Sequence, residues 1–262
     1  HGGNFFTVEP FGGNLYTRGV NACDYDEDND MDVLAARYWF QPNQLWQNDG
    51  AGNLTDVGGG AGVHGAGHTI SAAFADMDTD GHFDLFACNF NHHASRRSED
   101  AILYKNLGPK GSWQFDKKFT FDGGDWQESY ASCALADYDN DGDIDILISN
   151  SGGRAQLLRN ELPANKNWVK IKLKGMPPNT HAIGAKLNVK YGDRSISSYV
   201  SFSSTYISSS DPTVHLGLST QDSEVVVDVT WPSGKESTHK VATAQLIIIE
   251  EPQSLEMTDE GE

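Results

Sequence analysis

Asp137-Tyr138-Asp139-Asn140-Asp141-Gly142-Asp143-Ile144-Asp145, followed at once by Ile146-Leu147-Ile148-Ser149, is the stretch that decides the fold. Two earlier segments repeat it. One is Asp24-Tyr25-Asp26-Glu27-Asp28-Asn29-Asp30-Met31-Asp32, followed by Val33-Leu34-Ala35-Ala36. The other is Asp76-Met77-Asp78-Thr79-Asp80-Gly81-His82-Phe83-Asp84, followed by Leu85-Phe86-Ala87-Cys88. The starts lie 52 and 61 residues apart. So many like charges in nine residues repel one another unless something positive sits between them.

The likeness extends beyond the loops. Small and apolar residues lead into them: Gly19 to Cys23, Ser71 to Ala75 and Ser132 to Ala136. Each unit later reaches an apolar segment that ends in asparagine: Gln44 to Asn48, Ile102 to Asn106 and Gln156 to Asn160. The unit reads as strand, acidic loop, strand, longer loop, strand. Its short apolar runs between glycine-rich turns argue for sheet, and no clean 3.6-residue period predicts a long helix. A period of this size suits the blades of a β-propeller, with the small residues on crowded inner strands. Three units fall short of the usual four to eight blades. Three arrangements meet that shortfall: association of two copies, capping by the rest of the chain, or a chain that begins mid-protein.

The loops follow calcium logic. Acids stand at positions 1, 3, 5 and 9. A tight turn at position 6 falls on Gly81, Gly142 and Asn29, the last being the residue that best replaces glycine there. Position 7 (Asp30, His82, Asp143) is placed to offer its backbone carbonyl, so the His82 ring is expected to point out. This is the oxygen-rich set that a hard cation with six to eight ligands requires. Position 12 is Ala35, Ala87 or Ile148, never the glutamate of an EF-hand, so the loop is fused to strands instead of helices. About three Ca2+ ions are expected. Magnesium fits less well, because it demands a small octahedral shell and keeps its waters.

The whole chain agrees with this reading. It has 262 residues with 38% hydrophobic content, enough for a real core, and its formal net charge is −18. A chain this acidic, without a basic stripe, is no nucleic-acid binder. No apolar run approaches the length of a membrane span. Cys23, Cys88 and Cys133 are odd in number and form no CxxC; buried free thiols are the expectation, with a Cys88–Cys133 disulfide as the alternative. A secreted, extracellular or periplasmic location is expected.

After Asn160 the acidic loops stop. Leu162 to Lys166 reads as a linker. Alternating segments then follow at Trp168–Lys174, Ala185–Tyr191, Ser195–Phe202, Val214–Leu218, Val225–Trp231 and Ala244–Ile249, a second small β domain. The expected organisation is 1–162 for the repeats, 163–250 for the C-terminal domain and 251–262 for an acidic tail, fraying from Glu250. The fold class is all-β: a partial or oligomer-completed propeller followed by a small β domain.

These loops resemble the FG-GAP (VCBS) repeat, which forms the blades of integrin-like calcium-binding propellers. The segments His181 to Leu187, Thr205 to Leu218 and Val229 to Lys235 resemble the ASPIC/UnbV domain, and the pairing is similar to the cartilage acidic protein family. The resemblance implies a metal role for Asp24, Asp26, Asp28, Asp30 and Asp32, for Asp76, Asp78, Asp80, His82 and Asp84, and for Asp137, Asp139, Asp141, Asp143 and Asp145. Position 7 would contribute backbone alone. Members of that group carry more repeats ahead of the C-terminal domain.

Two functional classes follow. The first is an extracellular calcium-binding recognition or adhesion protein with a glycan or small-molecule ligand; Trp39, Trp46, Trp113 and Trp126 are candidate sugar platforms. The second is a metal-assisted lyase or cyclase acting on a sugar or secondary metabolite. Its candidate groups are His64, His68, His92, His93 and Arg96, clustered around the second repeat. The residues leave enzyme and binder open.

Overall fold

The computed structural model describes residues 13, 15–65, 67–90, 100–121, 129–151, 153–162, 167–202 and 204–253. The chain is built from small, mostly antiparallel sheets. The first holds β1 (Thr17–Cys23), β2 (Asp32–Arg37), β3 (Gln44–Asn48) and β4 (Leu54–Asp56) in that order. The second holds β5 (Thr69–Ala75), β6 (Asp84–Asn89), β7 (Ala101–Asn106) and β8 (Phe115–Phe121). The third holds β9 (Ser129–Ala136), β10 (Asp145–Ser151) and β11 (Gln156–Leu158). The helix α1 (Gly58–Ala61) is a single turn after β4.

Each acidic loop joins the first two strands of its sheet, and the registers correspond: Cys23 faces Asp32, Ala75 faces Asp84 and Ala136 faces Asp145. The loop-leading strands β1, β5 and β9 lie side by side. Crowding there explains their small residues. A Cβ at Gly19 would come within 2.8 Å of the Ile70 carbonyl oxygen. Between the first and second sheets the core gathers Tyr25, Leu34, Leu45, Leu85 and Ile102. Between the second and third it gathers Phe86, Cys88, Cys133, Ile146 and Ile148. Every residue of β6 is buried, as befits a strand covered on both faces, and each large apolar side chain there contributes about 1.5–3 kcal/mol. Among the described residues these sheets close no ring or barrel. All three cysteines are buried and free.

The C-terminal part comprises β12 (Asn167–Lys174), β13 (Lys186–Tyr191), β14 (Arg194–Tyr199), β15 (Ser204–Thr205), β16 (Ser208–Ser209), β17 (Val214–Leu218), β18 (Glu224–Thr230), β19 (Glu236–Ala242) and β20 (Leu246–Glu250). One sheet has the order β17-β12-β20 and another β14-β13-β18-β19. They pack face to face around Ile171, Leu187, Val189, Leu216, Val227 and Trp231. The strict alternation in β18 puts Val225, Val227 and Val229 inside. Fraying does not begin at Glu250: that residue pairs with Lys174 at the end of β20, and the Glu251 N–H donates to the Lys174 carbonyl at 2.9 Å. The linker centre 163–166 and residues 254–262 lie outside the described residues.

The two parts are in direct contact. The short hairpin β15–β16 lies against β1, β5 and β9. Its Tyr206 N–H donates to Ser71 Oγ at 3.2 Å, and Thr205 Oγ1 donates to the Cys133 carbonyl at 2.7 Å. These contacts join the C-terminal part to the loop-leading strands within this single chain.

Candidate metal centre

The three loops are geometrically one loop. The position-1 aspartate accepts backbone N–H bonds from positions 5 and 6: Asp24 from Asp28 and Asn29, Asp76 from Asp80 and Gly81, Asp137 from Asp141 and Gly142, all at 2.9–3.1 Å. The position-9 aspartate accepts from position 2 and from the strand-ending asparagine. Asp32 takes Tyr25 and Asn48, Asp84 takes Met77 and Asn106, and Asp145 takes Tyr138 and Asn160, at 2.8–3.2 Å. Position 6 is left-handed in each copy, with φ of 75° at Asn29, 87° at Gly81 and 98° at Gly142. Position 4 is left-handed as well, at Glu27, Thr79 and Asn140, a feature that residue type alone does not announce.

This backbone cradle gathers carboxylates. One oxygen each from Asp24, Asp26 and Asp32 lies within 4.8 Å of the others, and the same holds for Asp76, Asp78 and Asp84 and for Asp137, Asp139 and Asp145. These are positions 1, 3 and 9. Asp26 Oδ1 and Asp78 Oδ1 are buried and make no hydrogen bond. Buried acceptors left over in an acidic cluster fit a hard cation. Burial, reinforced by neighbouring aspartates, pushes Asp24 and Asp32 up to about 7 and Asp76 to about 8. Without a cation, these sites hold protons near neutral pH.

Other candidates fall elsewhere. The His82 ring turns from its loop's carboxylates to Glu27, with Nδ1 to Oε1 at 2.6 Å, and meets Trp113 edge-on. His68 is fully buried beside the rings of Tyr38 and Phe40. His64 packs against Gly58 and Gly59. His92, His93, Arg96 and Trp126 lie outside the described residues. Among the described residues, the candidates His64 and His68 are not gathered into a catalytic cleft. Of the tryptophans, Trp39 is exposed, whereas Trp46 and Trp113 are half-buried; Trp113 packs on the core between the first two sheets.

Two arrangements were not legible in the sequence. In the first, the strand-ending asparagines tie consecutive loops together. Asn106 Nδ2 donates to Phe83 O of its own loop and to Tyr25 O of the loop before, and Asn160 Nδ2 donates to Ile144 O and to Met77 O. The repeated Asn was visible; its partner one unit back was not. In the second, the C-terminal domain sits on all three loops. Ser197 donates to Asn29 Oδ1 at 2.9 Å, the Gly217 N–H donates to Asp76 Oδ2 at 2.8 Å, and Lys170 Nζ meets Asp137 Oδ2 at 2.8 Å. Arg194 spans two loops, pairing with Glu27 at 2.5 Å and donating to Gly81 O at 2.8 Å. Position 6 is the point of closest approach. A Cβ on Gly142 would fall 1.9 Å from Trp168 Nε1, so glycine there satisfies both the turn and the neighbouring domain. Trp168 stacks on His215, whose Nε2 contacts the Gly142 carbonyl and whose pKa is pushed down to about 4 by burial.

Repeated acidic β-loops under a C-terminal β sandwich define a class of protein: an FG-GAP-like repeat array followed by an ASPIC/UnbV domain. Models of both parts match the chain. A family model described as an FG-GAP-like repeat matches residues 24–87, and one described as ASPIC and UnbV matches residues 175–256. The third loop lies outside the first match, yet its geometry is that of the other two. Among curated proteins the chain is similar to Cartilage acidic protein 1 of Homo sapiens, 26% identical over 250 residues, covering 87% of this chain and 35% of the relative. The proteins of that name from Mus musculus and Xenopus tropicalis match at 26% and 25% identity, each covering 87% of this chain and 36% of the relative. The chain thus spans little more than a third of the length of these relatives.

Proposed function

We propose that this chain is an extracellular calcium-binding recognition protein. Three Ca2+ ions would hold its loops, ligated by carboxylates at positions 1, 3, 5 and 9 and by the carbonyls of Asp30, His82 and Asp143. The observation that carries this reading is the threefold repetition of one cradle with buried, unbonded carboxylate oxygens at Asp26 and Asp78. The ions cancel aspartate repulsion and fix the surface on which the C-terminal domain sits. The sheets are then blades of a partial propeller, 1–162, beneath a domain at 163–250 and a tail at 251–262. Two copies would supply six blades, within the ordinary range for a closed ring. No described helix is long and apolar enough to cross a membrane.

The recognition surface we favour is a cavity of about 340 Å³ between the two parts. Asn21, Ser198, Ser201, Ser210, Thr213 and His215 line it, along with the carboxylates of Asp24 and Asp211 and apolar side chains, and no lysine or arginine does. Hydroxyl, amide and carboxylate acceptors without a cation suit a donor-rich ligand that carries no negative charge, such as a neutral carbohydrate. The lyase or cyclase reading gains no support from the described histidines.

Equilibrium dialysis of the metal-stripped chain should return about three calcium ions, and chelation should lower the melting temperature by several degrees through mass action. Asp139→Ala should lose one ion and stability, while Asp259→Ala in the tail should lose neither. Zero stoichiometry, or equal behaviour of the two variants, refutes the calcium assignment. For the ligand, a glycan panel screened with and without Ser201→Trp, which fills the cavity mouth, decides: binding unchanged by the substitution places recognition elsewhere.

A further inference from the structure

The residue just before each strand-ending asparagine returns to its own loop. In chain order it is Gln47, Lys105 and Arg159. Gln47 Nε2 donates to Asp26 Oδ2 at 2.5 Å. Lys105 Nζ pairs with Asp78 Oδ2 and, at 2.7 Å, with Asp80 Oδ2. Arg159 Nε meets Asp139 Oδ2 at 2.8 Å, and its Nη2 lies 3.6 Å from Asp141 Oδ2. The contact therefore falls on the position-3 carboxylate in every loop, and on position 5 where the tether is charged. In the first two loops it takes Oδ2 and leaves Oδ1 buried and unbonded. Asp26, only 8% exposed, presents such an oxygen in the most enclosed of these settings.

The tethers share geometry but not charge. In the first loop the tether is neutral. None of its five aspartates pairs with a cationic side chain among the described residues: Arg194 goes to Glu27, and Lys186 Nζ to the Asn29 carbonyl at 3.4 Å. In the second loop Lys105 places an ammonium on two carboxylates. In the third, Arg159 does the same, and the buried Lys170 adds a second cation on Asp137. Calcium sites in oxygen-ligand loops are tuned by the charge their ligands carry. A side-chain cation on ligating carboxylates subtracts from that charge and repels the incoming divalent ion.

We propose that Gln47, Lys105 and Arg159 are positioning residues that grade the three sites, so that the first loop retains its calcium after the second and third have released theirs. The grading rests on the calcium reading above. A unit charge close to a divalent ion in a partly exposed setting changes affinity by about tenfold or more, equivalent to about 1.4 kcal/mol. The protein then passes, as free calcium falls, through a state with one ordered loop and two emptied ones, the latter held by their own cations.

The test is a calcium titration of the metal-stripped whole chain in competition with a chromophoric chelator, followed by calorimetry. The expected isotherm has one tight site and two weaker ones. Lys105→Gln and Arg159→Gln should each tighten one weak site about tenfold, and Gln47→Lys should weaken the tight site by a similar factor. Lys240→Gln, which removes a surface pair with Glu224 in the C-terminal part, should change nothing. Lys105 and Arg159 are 25% and 49% exposed, so their glutamine variants are expected to fold, and they decide the matter if Gln47→Lys does not. Three equal sites indifferent to the exchanges overturn the grading while leaving the calcium reading intact. An absence of calcium binding overturns both.

Discussion

Asparagine-to-alanine substitution at the ends of β3 and β7 and just after β11 should cost stability in a steep order, Asn106 far above Asn160 and Asn160 above Asn48. Asn106 is fully buried. Its Nδ2 bonds Tyr25 O at 2.9 Å and Phe83 O at 3.2 Å, and its Oδ1 accepts the Gly108 N–H at 3.0 Å. Alanine leaves two carbonyls and an amide without these partners. At about 1 kcal/mol net per bond, with up to about 3 kcal/mol for a buried group left unsatisfied, the loss is about 3–5 kcal/mol. Asn160 makes the equivalent bonds to Met77 O at 2.7 Å and Ile144 O at 3.2 Å but is half-buried, so water replaces part of what is lost and about 2 kcal/mol is expected. Asn48 has only a 3.4 Å contact to Met31 O and a 3.3 Å bond from the Gly50 N–H, and about 0.5 kcal/mol is expected. Urea unfolding in saturating calcium, followed by both fluorescence and circular dichroism, gives the three midpoints; unchanged m-values confirm that the native state alone is affected. Equal losses at Asn48 and Asn106, or a loss below about 1 kcal/mol at Asn106, would refute the role of this residue as the tie between consecutive loops.

Two further outcomes are expected. Asp24 and Asp32, held up to about 7, and Asp76, held up to about 8, bind protons in the metal-free native chain that they have lost in the unfolded chain, where the value is 3.8. The metal-free form should therefore lose stability as pH rises. The penalty is absent below about 4 and complete above about 8. His215, lowered from 6.5 to about 4, acts in the opposite sense at acid pH, so the clean window runs from 6.5 to 8. Melting curves with chelator should fall across that window and those with calcium should stay flat; a flat chelated profile contradicts the carboxylate assignment. Arg194→Ala removes the bridge between two loops and the C-terminal domain and should cost about 2 kcal/mol, less than a fully buried pair because the side chain is partly exposed. Limited proteolysis should then release the C-terminal part faster at unchanged calcium stoichiometry. An unaltered digestion rate would show that the other loop contacts suffice.

The periodic and local features were legible in the residues. The acidic loops, their register, the turn at Asn29, Gly81 and Gly142, and strands such as Gln44–Asn48 and Val214–Leu218 follow from patterns confined to a few neighbouring residues. Edge strands were not. In β8 the stretch Phe115–Phe121 buries only its first residue fully, and in β19 only Val241 of Glu236–Ala242 is buried, so neither shows a two-residue apolar rhythm. Nor did the sequence show that Asn106 reaches Tyr25 one unit back, that Glu27 at position 4 adopts a left-handed backbone to meet Arg194, or that Lys170 neutralises Asp137. Sequence alone determined that three clusters of like charge stand in register and could hold a cation, because repulsion within nine residues is independent of the rest of the fold. Tertiary structure decided what surrounds each cluster: a neutral amide in the first, an ammonium in the second, a guanidinium and a buried lysine in the third. Those partners arrive from strands and a domain distant along the chain, and only packing fixes which charge meets which.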